Sequence, residues 1–310
     1  PPAPDPHSHA ESTVMKLRTR TTILAYLFMA PALVMLVLFV FLPIAGSIPL
    51  VFYDYSMIGD VEFIGLDNFR RALSDGTFHI AIVNTITFVA VVPVIQLCSI
   101  ALASLVNQKL KGIVFFRTLF YVPVITSMVA VSIIWSFLFD SHGIINTWLM
   151  EWGLANQPLG FVNSSKTAMI CIMFITLWQG LGYYMMLYLA GLQSIPAEIE
   201  EAARTDGANA LQVFFRIKVP MLKPYIWFCS LNSVISAVAI FDPIFVMTQG
   251  GPNNSTMVIN YYSYIRAFKD FEFGYSATLG LVQAVITGLL SVVVFVYGKR
   301  NGGMTYDNAR

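Results

Sequence analysis

The polar side chains that interrupt long apolar runs carry what chemistry this sequence offers. Thr176, Gln179, Gly180 and Tyr183 fall at i, i+3, i+4 and i+7, one face of a helix, and Asn232 and Ser236 stand four apart with Ser233 beside them. Amides, hydroxyls and a phenol ring hold a neutral, hydroxyl-rich ligand through hydrogen bonds and an aromatic surface. A phosphate or carboxylate is normally met by Arg or Lys. None occurs between Thr167 and Gln193 or between Pro224 and Phe241. The same stripes equally suit hydrogen bonding between neighbouring helices, with Gly180 permitting close approach.

These residues must be positioned by membrane helices. Of 310 residues, 57% are hydrophobic and 11% charged, and mean hydropathy is +0.70, whereas a soluble domain carries roughly 25% charged residues. A helix needs about 20 mostly apolar residues to cross the hydrocarbon core. Six stretches qualify, approximately 23–45, 80–106, 113–139, 168–190, 224–247 and 276–297. Pro31, Pro43, Pro93 and Pro123 fall inside them, so kinked spans are expected. The first twenty residues, rich in Pro and polar groups and including His7 and His9, read as a disordered tail. This divides the chain into a tail (1–20), a membrane domain (21–298) and a second tail (299–310). The apolar run after Arg20 is too long for a signal-peptide core.

Orientation follows from the cations. With the N-terminus cytoplasmic, outer segments hold Arg70, Arg71, Lys166, Arg266 and Lys269, and the other 13 of the 18 Lys and Arg lie inside. The positive-inside rule therefore places both termini in the cytoplasm. Asp242 is the one acid in the fifth span. It lies about 27 Å along a helix begun at Pro224, near the outer interface, where it suits a gate, a salt bridge or contact with a soluble partner as well as simple hydration. Cys98, Cys171 and Cys229 stand singly and read as packing residues, with no metal spacing among them.

The hydrophilic segment from Ser194 to Pro224 reads as two short helices on the cytoplasmic side. Pro196 suits a first turn, Glu198, Glu200 and Glu201 favour the positive end of the dipole, and Gly207 supplies a stop. Asn209 can cap the second helix, Leu211, Phe214 and Phe215 give it an apolar face, and Pro220 is expected to break it. Such a hairpin fits a groove on a cytoplasmic partner, and equally an interfacial resting place on the membrane.

Glu201-Ala202-Ala203, then Asp206-Gly207, then Ile217 and Pro220 resemble the EAA motif of binding-protein-dependent ABC importer permeases, with Val219 where that family usually has Leu. Phe63 to Phe69, Arg117 to Pro123, Thr176 to Gly180 with Tyr183, and Thr248 to Pro252 are similar to the carbohydrate branch, of maltose and glycerol-phosphate type. That resemblance implies an all-α polytopic bundle of six transmembrane helices, of the type I ABC importer permease kind, in the bacterial inner membrane. It implies that 194–220 couples to an ATPase and that sugar contacts come from the fourth and fifth spans. It also implies the partners: a second homologous permease, two ATP-binding cassette subunits carrying ATP and Mg, an extracellular solute-binding protein, a sugar and membrane lipid. No cofactor is expected on this chain itself, which has no Gly-x-x-x-x-Gly-Lys-Ser/Thr run, and nothing points to nucleic acid.

A secondary, ion-coupled transporter is the rival reading. It needs a coupling-ion site, and the spans hold no mid-membrane Asp, Glu or His, although a sodium site of carbonyls and hydroxyls leaves no such trace. An intramembrane enzyme is disfavoured by the lack of an H-E-x-x-H or Gly-x-Ser-x-Gly motif, and His79 and His142 lie at outer ends.

Overall fold

The computed structural model describes residues 6–56, 61–108 and 111–300, with side chains described from Arg20 onward. The tail residues 1–5 and 301–310 lie outside that set. Helices α1 (Pro6–Leu36) and α2 (Leu42–Leu50), joined by a π turn at Val37–Phe41, form the first span. The described backbone is helical from Pro6, within the segment read as a tail. Ala10, Glu11, Met15, Lys16, Leu17 and Arg18 are good helix formers, and they extend a nucleus the apolar span supplies.

A small outer element follows. Strands β1 (Tyr53–Asp54) and β2 (Glu62–Phe63) pair antiparallel, Tyr53 opposite Phe63, and lead into α3 (Asp67–Ser74). The second span is α4 (Gly76–Phe88) and α5 (Val91–Val106), the third α6 (Ile113–Ile125) and α7 (Met128–Phe139). Then come a short outer helix, α8 (Ile144–Glu151), and the fourth span, α9 (Ala168–Gln193). The hairpin comprises α10 (Ala197–Thr205), α11 (Ala210–Val213) and α12 (Val219–Met221). Last are α13 (Lys223–Val238), α14 (Ile259–Phe268) and α15 (Phe273–Arg300).

Two of the expected spans are interrupted. The third parts at Thr126 and Ser127, whose ψ angles of 139° and 134° are extended. The fifth stops at Ala239, because Pro243 has no N–H for the Ala239 carbonyl and clashes with it. The freed carbonyls are taken by side chains: Asn260 Nδ2 donates to Ala239 O at 3.0 Å and Gln283 Nε2 to Val238 O at 3.2 Å. Among the described residues, five stretches are long and apolar enough to cross a membrane: Arg20–Leu50, Gly76–Val106, Met128–Glu151, Ala168–Gln193 and Phe273–Arg300. Six such stretches were expected, and these criteria give five among the described residues.

Proline explains other irregularities. Pro93 leaves the Val89 carbonyl without its helical donor, and Val92 N–H closes onto it instead at 2.9 Å, forming the turn between α4 and α5. Pro43 and Pro220 each follow a π turn, closed by Leu42 N–H to Val37 O and by Val219 N–H to Phe214 O. Widening the turn moves the preceding carbonyls off the proline ring. Pro220 therefore does not break the second hairpin helix, as the sequence suggested. The helical path runs on through the π turn Phe214–Lys218 into α12.

The bundle core is α9 packed on α5, α6 and α13, with α15 covering α13 and α14. Its fully enclosed side chains include Tyr188, Phe88, Ile172, Ile175, Met185, Leu222 and Leu279. On the outer side Asp75 ties three elements together. Its Oδ2 accepts from Tyr262 at 2.5 Å and Tyr275 at 2.7 Å, and its Oδ1 from the Thr77 and Phe78 amides. Arg266 donates to the Tyr262 hydroxyl at 2.6 Å, and Arg71 bridges to Glu272 at 2.8 Å.

Burial works to raise the Asp75 pKa, but the Tyr262, Tyr275, Phe78 and Thr77 donors outweigh it and hold the carboxyl below its ordinary value. A lowered folded pKa contributes stability above the unfolded carboxyl value of about 3.9 and loses it as pH falls through the folded one. Asp75→Ala is expected to cost about 2 kcal/mol at neutral pH. Thermal unfolding of the detergent-solubilised chain measures it, and the gap between parent and variant should narrow as the carboxyl is protonated in acid.

Candidate functional site

The two polar stripes meet. Thr176, Gln179, Gly180 and Tyr183 from α9 and Asn232, Ser233 and Ser236 from α13 all line one cavity of about 360 Å³, completed by Val91, Val92 and Ile95 of the second span and Val124 of the third. Val124 and Ala237 of its wall each stand two residues before a break described above. Non-helical backbone is tolerated at membrane depth where it lines a cavity, and Gln179 Nε2 satisfies the Thr126 carbonyl at 2.8 Å.

The lining residues differ in how much hydrogen-bonding capacity they have left. Thr176 Oγ1 donates back to Ile172 O at 2.9 Å. Ser233, 5% exposed, accepts from Gln96 Nε2 at 2.8 Å, and Gln96 in turn accepts from the Tyr188 hydroxyl. Ser233 is therefore held by a buried network linking the second, fourth and fifth spans. By contrast, the Tyr183 hydroxyl and the Asn232 amide make no hydrogen bond to any described residue. No charged side chain lines the cavity.

Gly180 admits the Ile95 side chain, whose Cδ1 would lie 2.8 Å from a Cβ there, with Tyr184 at 3.9 Å. The tight contact is one position pair on, at Gly182, where a Cβ would lie 2.1 Å from the Phe120 carbonyl oxygen. Gln96, Ile95, Val124, Tyr184 and Gly182 were missed in the sequence. Only Gln96 left a signal, as a lone amide in an apolar span.

At the far end of α9 the hairpin takes the expected shape. Gly207 closes α10 with φ +84°, a left-handed conformation that favours glycine. Asn209 and Gln212 cap each other reciprocally, at 2.8 and 2.9 Å. Glu200 pairs with Arg204 at 2.8 Å and with Lys218 at 2.9 Å, fastening the first helix to the second, and its hydrogen bond from Lys218 holds the carboxyl below the usual range. Val213 is buried and Phe214 packs on the bundle core around Tyr188 and Leu222, while Leu211 and Phe215 are 69% and 63% exposed. Glu201, Ala202, Asp206 and Pro220 are exposed too, and Ala203 and Ile217 half-buried. Asp242 is exposed and has no ion pair among the described residues, so the salt bridge entertained for it is not formed within this chain.

Residues 95–300 match the family model described as the binding-protein-dependent transport system inner membrane component. The chain belongs to that family. This inner-membrane component is 33% identical over 282 residues to the probable ABC transporter permease protein YurN of Bacillus subtilis, covering 89% of this chain and 96% of the relative. It is 34% identical over 275 residues to the lactose transport system permease protein LacF of Rhizobium radiobacter, covering 87% and 92%. Its fold matches a chain of a bacterial ABC transporter that imports the acidic polysaccharide alginate, with TM-score 0.80 at 22% identity over 92% of this chain and 98% of that one. The inner-membrane component is thus a multi-pass permease subunit of an ABC transporter and not an enzyme, ATP hydrolysis falling to separate subunits.

Proposed function

We propose that this permease forms half of the translocation pathway of an ATP-driven importer for an uncharged sugar. The observation that carries the reading is the single cavity where both polar stripes converge, with the Tyr183 hydroxyl and the Asn232 amide unengaged. Thr176, Gln179, Gly180, Ser233 and Ser236 shape the same wall. A hydroxyl-rich solute supplies donors and acceptors to both unengaged groups, and the Tyr183 ring offers it an apolar face. The lactose-system relative supports the solute class. The uncharged lining supports a neutral sugar over an anion such as the alginate carried by the structural neighbour.

Coupling is assigned to 194–220, with Glu201, Ala202, Ala203, Asp206, Gly207, Ile217 and Pro220 positioning a surface for an ATP-binding subunit, which holds ATP and Mg. The exposed Leu211 and Phe215 support that assignment, because apolar side chains beside a charged rim suit a protein groove. A second permease completes the pathway, and an extracellular binding protein delivers the sugar to the opposite face, where Asp242 is assigned to the outer gate or to contact with that protein. Both termini are assigned to the cytoplasm, on the cation distribution.

Tyr183→Phe and Asn232→Ala test the site in the reconstituted transporter. Each is expected to weaken apparent affinity for the transported sugar about tenfold while the complex still assembles, because neither group bonds within the chain. Gln179→Ala should in addition destabilise the chain, since it strands the Thr126 carbonyl. Unaltered uptake kinetics in both of the first two variants, or a preference for anionic solutes, would overturn the assignment.

A further inference from the structure

Beyond the transport pathway, the geometry points to α8 as an anchor seated in the membrane interface on the face opposite the coupling hairpin. Helix α8 follows the end of α7 by four residues and packs against it, and residues 152–167 then lead into α9. The hairpin begins at the other end of α9, whose 26 residues span about 39 Å. Helix α8 therefore sits at the level where the third and fourth spans leave the hydrocarbon.

One side of α8 is pinned. Asn146 is fully buried, donates to Asp140 O at 2.9 Å and Leu159 O at 3.0 Å, and accepts from Leu159 N–H at 2.8 Å. The other side carries Ile144, Trp148 and Trp152, spaced by four and 45%, 49% and 70% exposed. Trp152 N–H closes onto Trp148 O at 2.9 Å, so the two indoles stack, 6.1 Å apart and 13° from parallel. Neither indole N–H has a partner among the described residues. An indole whose ring is uncovered and whose N–H is unbonded fits the boundary where acyl chains meet headgroup and carbonyl oxygens. Between residues 144 and 165 the sole charged side chain is Glu151, which leaves little charge pattern for a protein partner to complement. Lipid is therefore the occupant, bound through amphipathic burial and indole hydrogen bonds without electrostatic attraction to anionic headgroups.

Depth-dependent fluorescence quenching tests this with the full chain in phosphatidylcholine nanodiscs. The signal is the difference between parent and a Trp148→Phe, Trp152→Phe double variant, which removes the contribution of Trp135, Trp178 and Trp227. Lipid brominated near the headgroup end of the acyl chain is expected to remove about half of that signal, and aqueous iodide little of it. If the double variant does not fold, a nitroxide on Ile144→Cys keeps both indoles, and oxygen should relax it more than a water-soluble nickel chelate does. Quenching by iodide alone places the stack in water, and insensitivity to both quenchers places it under protein. Either result overturns the anchor.

Discussion

Gly182→Val is expected to prevent the membrane bundle from forming, at a cost of about 3 kcal/mol or more. The added Cβ alone lands 2.1 Å from the Phe120 carbonyl oxygen and 2.9 Å from its carbon. Both are backbone atoms of α6, so no rotamer change relieves the overlap. Helix α9 must move off α6, which opens the cavity wall at Val124 and pulls Thr126 away from Gln179. The matched control is Gly288→Val, because nothing lies within 4 Å of a Cβ at Gly288. Size-exclusion profiles and thermal unfolding in detergent compare the two, and equal behaviour would contradict the tight α6–α9 contact.

The second large effect is expected at the hairpin. Gly207→Pro cannot adopt φ +84° and removes the N–H that donates to Arg204 O at 3.1 Å. The α10–α11 turn must then reorganise. Glu201→Lys reverses an exposed charge without touching the Glu200 pairs that hold the hairpin together. Both positions lie outside the spans, so insertion should survive while ATP-driven uptake falls more than about tenfold, the loss usual when a central interface residue fails. Uptake assays paired with co-purification of the ATP-binding subunit measure this. Parental transport in both variants, with the ATPase still bound, would refute the coupling assignment.

The residues that meet in the cavity were legible because helical periodicity is a local property. Thr176, Gln179, Gly180 and Tyr183 share a face whatever surrounds them, and so do Asn232 and Ser236. The hairpin was legible for the same reason: the Asn209 cap and the Gly207 stop depend on neighbouring residues only. What the sequence concealed was decided between helices. That Gly182 rather than Gly180 receives another backbone follows from how α6 crosses α9. The chain break at Ala239 follows from Pro243, but its tolerance depends on Asn260 and Gln283, which arrive from distant segments. Likewise the tie at Asp75 depends on Tyr262 and Tyr275, which converge on it from α14 and α15. Pro220 misled because proline stops a regular α-helix, whereas here a π turn absorbs it.

Native mass spectrometry of the gently solubilised complex, purified through this chain, tests the central claim most directly. The account predicts one assembly holding this chain, a homologous second permease and two copies of an ATP-binding subunit, with a neutral sugar retained in a fraction of the particles. A chain that purifies without any ATP-binding subunit, and that accumulates solute on an ion gradient without ATP, would contradict it.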